Sequence, residues 1–397
     1  MKTIYLDNNA TTPVHPEVVE AMLTYYNTFY GNASSIHSFG RDVRKAMEEA
    51  REKIAGLIGA NPDEIVFTSG GTEADNFALK GVAWASEKGG NHIITSAIEH
   101  HAIINSCQYL EKRGFDVTYL PVDKYGLIDP AQVKEAITNK TIIISIMLAN
   151  NEVGTIEPIA EIGEIAREMG IYLHTDAIQA VGKIPVNVTE LKAGLLSLSG
   201  HKINGPKGIG ALYIKKGTRI VPFLHGGHHE KNRRAGTENI PAIVGLGKAA
   251  ELAASQVKKK TKRLTELRDR LHKEITDKID NVHLNGHPTL RLPNTLNLSF
   301  AYVEGESLLL NLDLKGIAVS TGSACTSGSL DPSHVLVAMG VDPVLAQGSL
   351  RFSLGPENTK KDIDTTVEYL LEAVEKLRKL SPLYSEKDEN KPAKKRK

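Results

Sequence analysis

Most of the reactive chemistry in the chain rests on a lysine, an acid, a histidine and a cysteine. Lys202 follows directly on the apolar run Leu195–Leu198 and stands just before the glycine-rich bend Gly205–Gly210. An ammonium is costly to bury there unless it is partnered, titrated or covalently bound. Asp176 closes a second apolar run, Ile171–Leu173, and Gln179 lies three residues on. An acid at one strand end and a lysine at a neighbouring one suit pyridoxal phosphate (PLP): the lysine holds the aldehyde as a Schiff base, and the carboxylate keeps the pyridine nitrogen protonated. For these two residues alone, an ordinary ion pair at a strand–loop junction is the simpler reading.

Other segments break that tie. Ser69–Thr72 (SGGT) follows the apolar run Ile65–Phe67 and opens a helical stretch. Glycines such as Gly71 let backbone N–H groups approach an anion, the helix N-terminus favours its charge, and Thr72 adds a hydroxyl. A plain N-cap turn is equally good locally. Neither this loop nor GPKGIG fits a nucleotide-binding glycine fingerprint. His100 follows the strand pattern His92–Thr95, where a near-neutral imidazole can lie over a planar group and carry protons. Asn150 and Asn151 end the run Thr141–Leu148 in the same fashion. Thr72, His100, Asn151, Asp176 and Lys202 thus all fall just after strands of one sheet.

Cys325 sits among Ser, Thr and Gly in STGSACTSG, which places it on an exposed, mobile loop where a thiol can ionise and attack a ligand. Cys107, inside the helical run Ala102–Lys112, reads as a core residue. Arg351 suits a bidentate grip on a carboxylate, although a surface salt bridge is the default for a single arginine. His225, His228, His229 and Glu230 (HGGHHE) mimic a metal cluster but lack a second ligand group at a matching spacing. RRAGT, ending at Thr237, is a basic loop suited to a phosphate.

The elements that must position these residues follow from the hydrophobic pattern. Short apolar runs at 65–68, 92–95, 117–120, 141–148, 171–175, 195–199 and 210–214 read as strands, and amphipathic stretches separate the earlier ones. That alternation argues an α/β domain with a mainly parallel sheet and a ligand at the strands' carboxyl ends. Ala242–Ile279 reads as one long helix with a basic middle, Lys258–Arg263, solvated between two domains. A smaller α+β arrangement follows, and residues 381–397 form a polar, disordered tail. The expected division is a large domain over 16–256, a small one from 1–15 with 257–380, and the tail.

The 397 residues are 41% hydrophobic and 24% charged, with net charge +1, so bulk charge calls for neither a nucleic-acid nor a membrane partner. Two cysteines provide no disulfide framework, and residues 1–15 have no apolar signal, which points to a cytoplasmic protein.

Taken together, DNNATT, TSGGTEADN, EHHA, NNEVG, HTDAIQAVGK, SLSGHKINGPKGIGALY, RRAGTEN, STGSACTSGSLDPSHV and RFSLG resemble the cysteine desulfurases of the NifS/IscS type, from Tyr5 to about Leu380. These are class-V aminotransferase relatives with the fold-type-I architecture of PLP enzymes. The resemblance implies that Lys202 forms the Schiff base, Asp176 partners the pyridine nitrogen, Gln179 and Asn151 bond the ring oxygen, and His100 stacks on the ring. It further implies that Gly71, Thr72, Ser199 and His201 hold the phosphate, that Thr237 reaches across from the second subunit of a homodimer, and that Arg351, with Asn151, takes the carboxylate of L-cysteine. Cys325 would attack the substrate sulfur and carry a persulfide to an iron–sulfur scaffold or other acceptor protein, leaving L-alanine. No resident metal is implied; Cys325 would meet an iron–sulfur cluster only transiently, during transfer. An aminotransferase or selenocysteine lyase on the same fold is the near alternative, and a non-catalytic sulfur-assembly scaffold the distant one. Asn204, two residues beyond Lys202, departs from the aromatic residue or histidine of many relatives.

Overall fold

A computed structural model describes residues 3–86, 89–321, 332–382 and 384. The first part of the chain forms β1 (Ile4–Tyr5), α1 (Pro16–Asn27), α2 (Ser38–Ile58), β2 (Ile65–Thr68), α3 (Gly71–Ser86), β3 (His92–Ser96), α4 (His101–Glu111), β4 (Asp116–Leu120), α5 (Pro130–Ala136), β5 (Thr141–Ser145), α6 (Ile159–Glu168), β6 (Tyr172–Asp176), β7 (Leu195–Ser199) and β8 (Gly210–Ile214). The long helix α7 (Ile240–Lys278) leads to β9 (Val282–Asn285), β10 (Thr295–Phe300), α8 (Gly305–Asp313), β11 (Ile317–Ala318), α9 (His334–Ala338), α10 (Pro343–Gln347), β12 (Ser349–Ser353) and α11 (Lys360–Leu380).

The central sheet has seven strands in the order β2-β8-β7-β6-β5-β3-β4. All neighbours pair in parallel except β8, which runs antiparallel to both β2 and β7. The two reversals cancel, so β2 points the same way as β7, β6, β5 and β3. The carboxyl ends of those five strands therefore share one edge.

The strands read as near-continuous apolar runs because helices cover both faces. Side-chain alternation divides each strand between two cores. Phe67, Ile94, Ile144 and Leu196 pack with Val43, Ile54 and Leu246 of α2 and α7. Val66, Ile93, Ile143 and Leu195 pack with Phe77, Ile103 and Cys107 of α3 and α4. The apolar positions of α2 recur at helical spacing, and Gly59 ends the helix at φ +68, a conformation glycine adopts freely.

A third core lies around the antiparallel sheet β12-β10-β9. Helix α7 joins the two regions: Ile243 and Leu246 serve the first core, and Leu267 and Leu271 serve the third. Between them Lys258, Lys259 and Lys262 are exposed. Ile4 and Leu6 also enter the third core, because β1 pairs in parallel with β11.

The run Thr141–Leu148 is strand only as far as Ser145. Beyond it, Met147 N–H bonds the Glu99 carboxylate (2.8 Å) and Leu148 N–H bonds Asp176 O (2.9 Å). An apolar run marks burial, and here the last three residues are buried in extended loop rather than ladder. Among the described residues no helix is long and apolar enough to cross a membrane.

Candidate functional site

The shared edge opens into a cavity of about 470 Å³. Gly71 and Thr72 start α3 on its wall. A Cβ at Gly71 would come within 2.1 Å of Ile178 Cδ1, so any larger residue here would have to push the Ile178 side chain aside. Asp176 ends β6, and its Oδ1 accepts a bond from Ile178 N–H (2.9 Å). Ser199 ends β7, and the 3₁₀ turn Gly200–Lys202 carries His201 and Lys202 into the same space. His100, Asn151, Gln179 and Arg351 complete the ten expected residues that the fold brings together.

His100 caps α4: its Nδ1 accepts Ala102 N–H at 3.1 Å, so the neutral ring carries its proton on Nε2. Burial, reinforced by Lys202, His101 and His334, lowers its pKa to about 4. Burial, then Lys202, Lys207 and Lys183, does the same to His201. Both imidazoles are therefore neutral at physiological pH. Lys202 Nζ donates to two backbone carbonyls, Asn9 O (2.5 Å) and Ala10 O (2.7 Å). Arg351 is deeply buried; it bonds Asp7 Oδ1 at 2.9 Å and Asn151 O at 3.2 Å, while its Nε is buried without a partner.

Two expected residues stand apart from the wall. Thr237 is exposed and does not line the cavity of its own chain. Cys325, with the rest of 322–331, lies outside the described residues, as does most of the 381–397 tail. Ser320, just before that stretch, lines the cavity and pairs with Arg351 through the backbone. Cys107 is fully buried, and burial, then Glu99 and Glu111, raises its thiol to about 12. Three of the four HGGHHE side chains have other partners: His229 bonds Glu238 (2.9 Å), His228 bonds Asn232 (2.6 Å), and Glu230 pairs with buried Arg51 (2.8 Å). Among the described residues no metal-binding cluster occurs.

Sequence reasoning missed several participants. Asn9 accepts from Gln179 and Lys202 through its carbonyl and from Lys183 and Asn294 through its side chain. Asp7 holds Arg351. The signal available was the dense polar run DNN beside an apolar strand. Asp75, also on the wall, is fully buried 3.7 Å from His174 Nε2. Burial, then the charge of Asp176, holds it well above the usual carboxylate range, which disfavours a second negative charge behind Asp176. Burial likewise lowers His174 to about 3, so Asp75 and His174 do not form an ion pair. Asn204 adopts φ +62, which asparagine tolerates well, and bonds Thr12 (2.9 Å) and Pro13 (3.0 Å). Its role is to fasten the N-terminal loop beside Lys202.

The family model described as aminotransferase class-V matches residues 4–366. A relative from Dictyoglomus turgidum named "Cysteine desulfurase IscS" is 58% identical, covering 97% of this chain and 98% of its own length. One of the same name from Methanosarcina thermophila is also 58% identical, over 96% of this chain and 94% of the relative. The solved structure of a "NIFS-like protein" superposes with a TM-score of 0.89 at 40% identity, covering 94% of this chain and all of that one. Another, titled "SspA in complex with cysteine", gives a TM-score of 0.80 at 39% identity, over 90% of this chain and all of that one.

Proposed function

Because the chain belongs to the aminotransferase class-V family, and within it to the cysteine desulfurases, we propose that its cavity holds pyridoxal phosphate and that the surrounding residues divide the work of taking sulfur from L-cysteine. The activity is that of a cysteine desulfurase, which leaves L-alanine and an enzyme-bound persulfide.

The observation that carries the cofactor reading is the meeting of Lys202, Asp176 and His100 with the hydroxyls of Thr72 and Ser199 in one cavity. The donor set fits the group. Gly71 and Thr72 at the start of α3, with Ser199 and His201, suit a phosphate. Asp176 is a carboxyl group whose pKa burial raises and nearby Lys202 opposes, so a cationic ring nitrogen would stabilise its ionised form. Neutral His100 can cover a flat ring without repelling a cation. Gln179 and Asn151, both on the cavity wall, would bond the ring oxygen. When bound, the cofactor supplies an electron sink for charge that develops at the substrate Cα.

The chain's own residues then act as follows. Arg351 binds the carboxylate of L-cysteine through its unpartnered Nε and the edge it now shares with Asp7. Lys202 Nζ would take up the proton that leaves Cα. Cys325 attacks the substrate sulfur, so that a sulfur–sulfur bond forms as Cβ–sulfur breaks. The persulfide passes to an iron–sulfur scaffold or another acceptor protein.

A homodimer belongs to the same proposal. Leu23, Tyr26, Tyr30, Ile36 and Phe39 are exposed apolar residues on α1, the segment after it and the start of α2, with Ile36 86% exposed. Thr237, unable to serve its own cavity, would complete the phosphate site of the partner. The cores support a large domain over 16–256 and a small one from 1–15 with 257–380, with the cavity between them. The low cysteine content supports a cytoplasmic setting.

The absorption spectrum with and without L-cysteine tests the reading. The protein should be yellow, change spectrum on adding L-cysteine, and retain cofactor on Lys202 after borohydride reduction. A colourless protein that takes up no added PLP would overturn it.

A further inference from the structure

We infer that Lys183 is a positioning residue for the cofactor: acting through the Gln179 amide and Asn9, it fixes the orientation of the cavity-wall amide proposed to bond the ring oxygen and the carbonyl that holds Lys202. This inference rests on the PLP reading above. Lys183 is buried, and its Nζ donates to Gln179 Oε1 at 2.6 Å and Asn9 Oδ1 at 3.0 Å. An ammonium is donor-only, so both amides must turn an oxygen toward it. Gln179 is thereby left with its NH2 on the other side, where Nε2 donates to Asn9 O at 2.9 Å. That carbonyl also accepts from Lys202 Nζ at 2.5 Å. Asn9 Nδ2, turned away in the same manner, donates to Asn151 O (3.1 Å) and Thr295 Oγ1 (2.9 Å). Lys183 thus sets the Gln179 amide and, with Asn294, the Asn9 amide, and through them the placing of three groups at the cavity.

A purely structural need would not select this residue. Both partners of Lys183 are amide oxygens rather than carboxylates, and burying an ammonium without a counter-ion is expensive. The charged groups around it are also cationic. Burial, then Lys202 and Arg351, pushes Lys183 well below the ordinary lysine range. Asp7 is occupied by Arg351. Lys260 lies with Lys183 and Lys202 around a small second cavity, where Glu357 partly offsets its charge, and His201 feels Lys183 in turn. An anionic ring oxygen in the cavity would offset that cost and favour the charged form of Lys183. That charge also makes it easier for Lys202 to lose a proton, because like charges depress each other.

The test uses the PLP-loaded protein with Lys183→Met, which keeps length and removes the donor. The pH midpoint of the visible cofactor band should rise by about half a pH unit or more, since a neighbouring positive charge is lost. PLP affinity should fall about tenfold, the order expected when one buried donor to an amide that binds the ring is removed. Thr261→Val is the control: Thr261 Oγ1 donates to Lys183 O, so that variant disturbs the same residue without touching its ammonium, and should leave the midpoint unmoved. If Lys183 acts through Gln179, the double variant with Gln179→Ala should lose no more PLP affinity than Gln179→Ala alone. Should Lys183→Met not fold, Lys183→Gln keeps a donor and must still raise the midpoint. If the wild type binds PLP while the lysine variant has an unchanged midpoint and affinity, or if the two losses simply add, the inference fails and the cofactor reading stands. If the wild type takes up no PLP, the cofactor reading itself is what fails.

Discussion

Replacing Arg351 by lysine isolates the role of its guanidinium fork. Arg351 is only 4% exposed, its terminal nitrogens bond Asp7 (2.9 Å) and Asn151 O (3.2 Å), and its Nε is a buried donor with no partner. A buried unsatisfied donor is costly unless a ligand completes it, and a carboxylate matches the fork with two parallel bonds. Lysine keeps the positive charge and offers one such bond in place of two. A hydrogen bond to a charged group contributes about 1.5–3 kcal/mol, so losing one should raise KM for L-cysteine roughly ten- to a hundredfold. The visible band of the bound cofactor should survive, because Thr72, Asp176 and Ser199 approach the cavity from α3, β6 and β7, whereas Arg351 stands on β12 of the other sheet. The assay is alanine formed over a wide range of L-cysteine, on protein shown by its spectrum to be fully loaded. If loaded Arg351→Lys keeps the wild-type KM within about twofold, less than the weakest such bond would cost, Arg351 serves only Asp7 and the substrate-binding argument is wrong.

Other expectations concern the thiols and the buried charges. Cys325→Ser should bind PLP and respond spectrally to L-cysteine yet form almost no alanine or persulfide, since a hydroxyl neither attacks sulfur well nor holds it. Cys107→Ser should turn over nearly as wild type, because burial keeps that thiol protonated. Glu230→Gln should destabilise the protein by about 3 kcal/mol or more, read from thermal or urea unfolding, because it leaves the Arg51 guanidinium buried and half-paired. Glu152 is a buried acid that accepts from Ser333 Oγ, and burial raises its pKa from 4.5 to about 7. Its neutral form is the one the fold favours, so this contribution, roughly 3 kcal/mol, is complete below pH 4.5 and is lost as pH rises through 7. Glu152→Gln should therefore lessen the fall in urea midpoint between pH 5 and pH 8; an unchanged fall would show that Glu152 does not titrate there.

Much of the active edge was legible because a parallel sheet leaves a local signature. The strands inside its β4 edge are buried on both faces, so an apolar run that stops at Thr68, Asp176 or Ser199 marks both the strand's carboxyl end and the polar group presented there. Ten expected site residues therefore met in one cavity. The same signal overran at Ile146–Leu148, where burial persists after the ladder ends, and it passed over β9, whose alternating exposure is short and half-polar.

The layer behind those residues had no such signature, and its absence has a physical cause. Gln179 and the carbonyl it bonds lie 170 positions apart in the chain, and Asp7 and Arg351 lie 344 apart. Those pairs exist only because β1 joins β11 and brings the N-terminal loop across the mouth of the sheet. Asp75, Glu230 and Lys183 are each a charged residue type in a burial class that sequence pattern assigns to apolar residues, so a periodicity reading places them on a solvated face. A lysine in VGK or an acid in EADN looks local and ordinary. What distinguishes them is the cost of removing their charge from water, and that cost appears only once the fold has closed around them. Where such a cost is retained beside a cavity and the partners are neutral amides rather than a counter-ion, as at Lys183, the compensating interaction is to be sought in what the cavity holds.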